Sequence, residues 1–182
     1  MSPKQEKRDL MLGRMEDHVL KHGLAAASLR PLAAAASTSD RMLLYYFADK
    51  DEIILAIFGI IAMRFGAMLM QAVPDRQPSS AEALRADLYR LFRTDAARPF
   101  IQVYLELCIA ASRGEQPHQR VAADLARGSI AWAGSQLAIV DDAERERLAT
   151  LTLAAVDGLW LFDAIGLREI AAVGAKEGST SF

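Results

Sequence analysis

Apolar residues recur along the chain at spacings of three and four, the period of an α-helix, from the first dozen residues almost to the last. Leu12, Met15, Val19 and Leu20 share one face of a helix predicted over residues 4–22. Arg8, Arg14 and Lys21 lie on its other sides, and Gly23 is a suitable C-terminal cap. Ser28 offers an N-cap hydroxyl to a second helix over 29–36, with Pro31 in its first turn, where a missing N–H costs nothing. Ser37-Thr38-Ser39 makes a polar turn. Ser39 then caps a short third helix over 40–46, and Asp40 places negative charge where the helix dipole favours it. Asp49 caps a fourth helix over 50–72.

The run Val73-Pro74-Asp75-Arg76-Gln77-Pro78 reads as a linker, and Ser79-Ser80-Ala81-Glu82 as a capping box. Behind it, Leu84, Leu88, Leu91 and Phe92 form the stripe of a fifth helix. Pro99 opens a sixth helix to about residue 114, Pro117 a seventh to about 140, and Asp141-Asp142 an eighth to about 165. A short ninth turn and a frayed tail from residue 176 finish the chain. No segment reads convincingly as a strand, so the expected fold is all-α. It has an N-terminal three-helix unit over residues 1–49 and a second helical domain over 50–182, joined by the helix that starts at Lys50. In the first unit one helix braces, the next is presented, and a third leads into the body, which is the order of a helix-turn-helix.

Composition sharpens this picture in a few places. The 182 residues are 52% hydrophobic and 7% aromatic, with a formal charge of −2 that argues against a general polyanion binder. The charge is uneven: residues 1–50 carry eight Lys/Arg against six acids, and the remainder thirteen against seventeen. That asymmetry points toward nucleic acid for the N-terminal part. A single cysteine, Cys108, lies in the apolar run YLELCIAA and reads as a buried inert thiol. The N-terminal residues lack a signal-peptide pattern, and the longest apolar stretch, residues 53–63, is too short to cross a bilayer. No membrane partner and a cytoplasmic location are therefore expected.

The chemistry of a DNA reader requires backbone anchors and a few side chains that meet base edges. Lys50 is placed to donate to a phosphate, Thr38, Ser39, Tyr45 and Tyr46 to add neutral hydrogen bonds, and Arg30 to reach a flanking phosphate. Arg41 suits bidentate contact with guanine, and Met42 apolar contact with a thymine methyl. A helix of this length binds weakly alone, so a two-fold homodimer is implied. Small residues on the seventh and eighth helices, Ala122, Gly128 and Ala155 among them, with Leu151, Leu159 and Phe162, mark the candidate interface. Phe58, Phe65, Met68, Phe92, Phe100, Tyr104, Cys108 and Trp132 are the candidates for lining a ligand pocket. Arg64, a charge amid an apolar helix, requires solvent, a partner or a ligand anion.

Gly23, Ser28-Leu29-Arg30, Leu32-Ala33, Ala36, Ser39, Leu43, Tyr45-Tyr46-Phe47 and Lys50-Asp51-Glu52-Ile53 together resemble the DNA-binding domain of the TetR family, with its spacing kept without a gap. A second likeness, Asp157-Gly158-Leu159-Trp160-Leu161, resembles a segment common near the C-terminus of that family. The resemblance implies a repressor that binds a double-stranded DNA operator as a homodimer, through a four-helix bundle built from the last two long helices. It also implies modulation by a small apolar or amphipathic effector. Four positions depart from the family pattern: Ser37 stands where it has a turn glycine, Leu44 where it has tyrosine, and Arg14-Met15 where it has two small residues. Ser37, Leu44 and the weak positive charge keep open an alternative, a helical dimeric ligand-binding or interaction protein of the same fold that has lost sequence-specific DNA binding.

Enzyme chemistry finds little support. His18 and His22 are at i, i+4 without an evident third metal ligand, Asp141-Asp142 opens a helix, and neither a phosphate-binding glycine loop nor a nucleophile motif occurs. No catalytic residue, metal site or cofactor is expected.

Overall fold

The computed structural model describes residues 2–73 and 80–175, so the expected linker from Pro74, Ser79 of the capping box and the tail from 176 lie outside the described residues. The order is α1 (Pro3–His22), a 3-10 turn (Leu24–Ala26), α2 (Leu29–Ala35), α3 (Asp40–Tyr46), α4 (Lys50–Ala72), α5 (Ala81–Phe92), α6 (Arg98–Ser112), α7 (His118–Ser135), α8 (Asp142–Ala164) and α9 (Arg168–Ala175). Among the described residues there is no strand, and the fold is all-α.

Capping explains most of these starts. Ser39, Ser80 and Asp141 each accept the backbone N–H three residues on, as does Asp49 from Glu52. Ser28 occupies the N-cap position of α2 with extended backbone, yet its hydroxyl makes no capping bond. The turn between α1 and α2 also carries an unexpected 3-10 segment. The α6 helix stops at Ser112 because Gly114, at φ 76°, takes the left-handed C′ position of a Schellman closure. The expected seventh helix is five residues shorter, ending at Ser135, whose hydroxyl donates to the Trp132 carbonyl while the chain tightens into i→i+3 bonds. The expected ninth turn is a two-turn helix.

The chain divides into two compact units, one of residues 1–66 with 99–124 and one of residues 67–98 with 125–182. In the first, Met15, Val19, Leu32, Leu43, Phe47, Ile53, Ile54, Ile57 and Leu107 are shut off from solvent. Each such side chain contributes about 1.5–3 kcal/mol by leaving water. By length and composition α4 could cross a membrane, which the run 53–63 alone did not suggest; five of its apolar residues, Ile53 to Ile61, are buried in this protein core.

In the second unit α5 and α9 both pack on α8. Tyr89, Ala171 and Ala175 form a small core with Leu159 beside it. Arg93 and Arg168 flank the nearly buried Asp163 at 3.5 and 2.9 Å, which ties α9 to α5 and α8.

Candidate nucleic-acid interface

The turn between α2 and α3 is closed by two backbone bonds, Thr38 N–H to the Ala33 carbonyl and Ser37 N–H to the Ala34 carbonyl. This is a Schellman closure with Ser37 at C′, at φ 55°. Two other closures of the same kind, after α6 and α8, have glycine there, Gly114 and Gly166. Ser37 therefore carries a backbone strain that its two counterparts avoid. Arg14, one of the departures in α1, extends its guanidinium to 3.5 Å from the Ala36 carbonyl at this turn.

Leu43 of α3 and Phe47 at its C-terminal cap are buried in the core, which fixes what the helix turns outward. Arg41, Met42, Leu44 and Tyr45 are exposed, Tyr45 by 62%. Tyr46 is half-buried and meets Tyr45 edge-on, with ring centres 5.2 Å apart. The N-terminal part of α1 lies against them. The Lys4 ammonium sits 4.6 Å from the Tyr45 ring centre, and that of Lys7 6.0 Å from the Tyr46 ring. These two lysines add positive charge beside a helix with a single arginine; sequence reasoning missed them, although their i, i+3 spacing on an amphipathic helix was visible. Ser39 and Thr38 sit at the helix start, with Ser39, Arg30 and Lys50 all exposed.

Three braces hold this surface. Arg8 of α1 stacks over the Phe47 ring at 4.5 Å and pairs with Glu52 at 2.9 Å. Glu52 also accepts the Ala48 N–H at 2.6 Å, and that bond, aided by Arg8, holds its carboxyl below the ordinary range. At the far end of α1, Glu106 of α6 accepts the Leu24 N–H at 2.5 Å and lies against Gly23. In the middle, Arg64 of α4 donates to Glu16 at 2.5 Å and to Asp17 at 3.1 Å, and lies over the Phe100 ring at 5.7 Å. Arg64 thus finds protein partners for its charge. Burial raises the Glu16 carboxyl and the hydrogen bond from Arg64 lowers it, with burial the larger effect.

Comparison with known proteins gives this surface its family. Residues 19–57 match the sequence model of the bacterial regulatory proteins of the tetR family. This is a TetR-family helix-turn-helix. A transcriptional regulator of that family from Cytophaga hutchinsonii superposes with a TM-score of 0.75 at 16% identity, over 96% of this chain and 92% of its own. A transcriptional regulator from Rhodococcus sp. RHA1 gives 0.69 at 20%, over 92% and 93%. A regulator from Saccharomonospora viridis, solved with choline, gives 0.68 at 17%, over 94% of each chain. At these identities the likeness is one of fold. No curated protein matches the chain in sequence.

The remaining sequence-derived residues fall in both compact units. Phe58, Phe65, Phe100, Tyr104 and Cys108 belong to the first unit, where Phe65 and Phe100 stack at 5.8 Å; Met68, Phe92 and Trp132 belong to the second. Cys108, expected buried, is half-buried. Of the residues assigned to a dimer interface, Ala122 lies in the first unit and the rest in the second. Gly128, Leu151 and Phe162 are exposed, Ala155 is half-buried, and Leu159 packs against the Tyr89 core. The His18 and His22 rings lie 4.7 Å apart, tilted by 44°, and among the described residues no three metal-ligating side chains gather.

Proposed function

We propose that this chain is a homodimeric repressor that binds an operator through α3 and is modulated by a small apolar or amphipathic effector. The observation that carries the proposal is the outward face of α3, with Arg41, Met42 and Tyr45 exposed while Leu43 and Phe47 anchor the helix from behind. Arg41 reads guanine through a bidentate contact and Met42 meets a thymine methyl. Arg30, Thr38, Ser39, Tyr45, Tyr46 and Lys50 contact the backbone, with Lys4 and Lys7 adding charge.

Dimerisation is supported by α8, where Leu151, Leu161 and Phe162 are exposed at a spacing that puts them on one face. Effector contact is assigned to the aromatic residues of the first unit, Phe58, Phe65, Phe100 and Tyr104, near which Arg64 already faces Phe100. The relative solved with choline supports a small amphipathic cation as the first compound to try, because aromatic faces attract such groups.

The test is binding of the folded dimer to duplex DNA from upstream of its own gene at two salt concentrations. A tight complex that weakens steeply with salt is expected. Arg41→Ala should relax specificity at one base pair, whereas Lys50→Ala should weaken all sequences alike and lower the salt slope by about one. No binding at low salt by a folded dimer would favour a ligand-binding protein of the same fold.

A further inference from the structure

Leu44 is 46% exposed and Met42 37%, although both are apolar and both sit on the helix that the proposed reading places in the major groove. At about 100° per residue, Arg41 and Tyr45 form the middle of the outward face, with Met42 on one flank and Leu44 on the other. The buried pair, Leu43 and Phe47, occupies the opposite side, so Leu44 cannot turn into the core without dislodging them. A side chain in this position meets whatever the groove presents. The groove's edges are hydrogen-bond donors and acceptors, which leucine cannot satisfy, and a single kind of apolar group, the C5-methyl of thymine. Tyrosine, the residue the family pattern has here, could donate a hydrogen bond; leucine reads only by apolar contact.

We propose that Leu44 is a specificity-determining residue that reads a thymine methyl, on the opposite flank of α3 from Met42. The operator half-site then carries thymine at the step facing Leu44, in addition to the one facing Met42. This inference rests on the DNA-binding reading above and adds a base preference that reading does not contain.

Uracil tests it directly, since it removes the methyl and nothing else from the base edge. The full-length protein is used to select its preferred duplex from a random library, and each thymine of the half-site is then replaced singly by uracil. Loss of one buried methyl corresponds to about fourfold in affinity. One such replacement should weaken the wild type by about fourfold and leave Leu44→Ala unchanged, while a different one behaves in the same way toward Met42→Ala. Leu44 is exposed, so Leu44→Ala keeps the fold, which a thermal melt verifies. The inference is overturned if the selected site binds but no uracil replacement distinguishes wild type from Leu44→Ala. Failure to select any duplex overturns the DNA-binding reading as well, and so is told apart from failure of the base preference alone.

Discussion

Ser37 and Glu52 show how individual side chains set the behaviour of the reading surface. Ser37 holds φ 55° in a closure where Gly114 and Gly166 serve elsewhere in the chain. Ser37→Gly should therefore stabilise the protein by about 1 kcal/mol, read as a rise in denaturation midpoint, the relief of the left-handed conformation outweighing the added entropy of the unfolded chain. A fall would mean that the serine hydroxyl supplies something the backbone argument omits. Glu52 is held below its ordinary value of 4.5 by the Ala48 N–H and by Arg8, so the folded state favours its ionised form. Its contribution is present above 4.5 and lost as pH falls through the lower folded value. Glu52→Gln should cost about 1 kcal/mol near neutrality. The gap between variant and parent should close in acid well below that value; a gap that persists there would mark a steric effect.

At the scale of elements, α1 is the part that the rest of the head is built on, and it is fixed at both ends and in the middle. Gly23 ends it at φ 81° and ψ 173°, a region open essentially only to glycine, and a Cβ there would lie 2.7 Å from a Glu106 carboxylate oxygen. Gly23→Ala should destabilise by about 2 kcal/mol or more. Adding Glu106→Ala should recover the part due to the clash and not the part due to the backbone, a non-additivity that equilibrium unfolding of both singles and the double would reveal. Much of this was legible beforehand. Gly23 as a helix end, Ser39 and Asp49 as caps, Asp141-Asp142 as a helix start, and the stripe from Leu84 to Phe92 follow from local rules that tertiary packing did not override. The end of α7 was missed because it is set by how the last turn closes, not by periodicity. The braces from Arg8, Arg64 and Glu106 join residues 44, 48 and 82 positions apart, and no pattern along the chain marks such pairs. Within α3 the sequence pattern could not show that Leu44 faces outward.

For the whole molecule, the proposed dimer makes a prediction independent of DNA. The exposed apolar face of α8 includes Leu151, 53% exposed, and Phe162, 43% exposed. A wild-type chain should sediment at twice its 19.9 kDa, and the pair Leu151→Glu and Phe162→Glu at the single-chain mass with its helical content intact. A double variant that remains dimeric would move the interface elsewhere. The uneven legibility recurs at this scale: the helix-turn-helix is local and was readable, whereas the first compact unit joins residues 1–66 to residues 99–124, a division that no composition change announces.

The carboxylate of Glu106 on the Leu24 amide has a consequence for how the protein is made. A ribosome delivers the chain from its N-terminus, so every other part of the helix-turn-helix emerges before the residue that secures the end of α1. The 82-residue interval takes on the order of ten seconds at about 5–20 residues per second. Until then the Leu24 N–H has no Glu106 carboxylate to donate to. A growing chain can thus close this contact only once Glu106 of α6 has been synthesised.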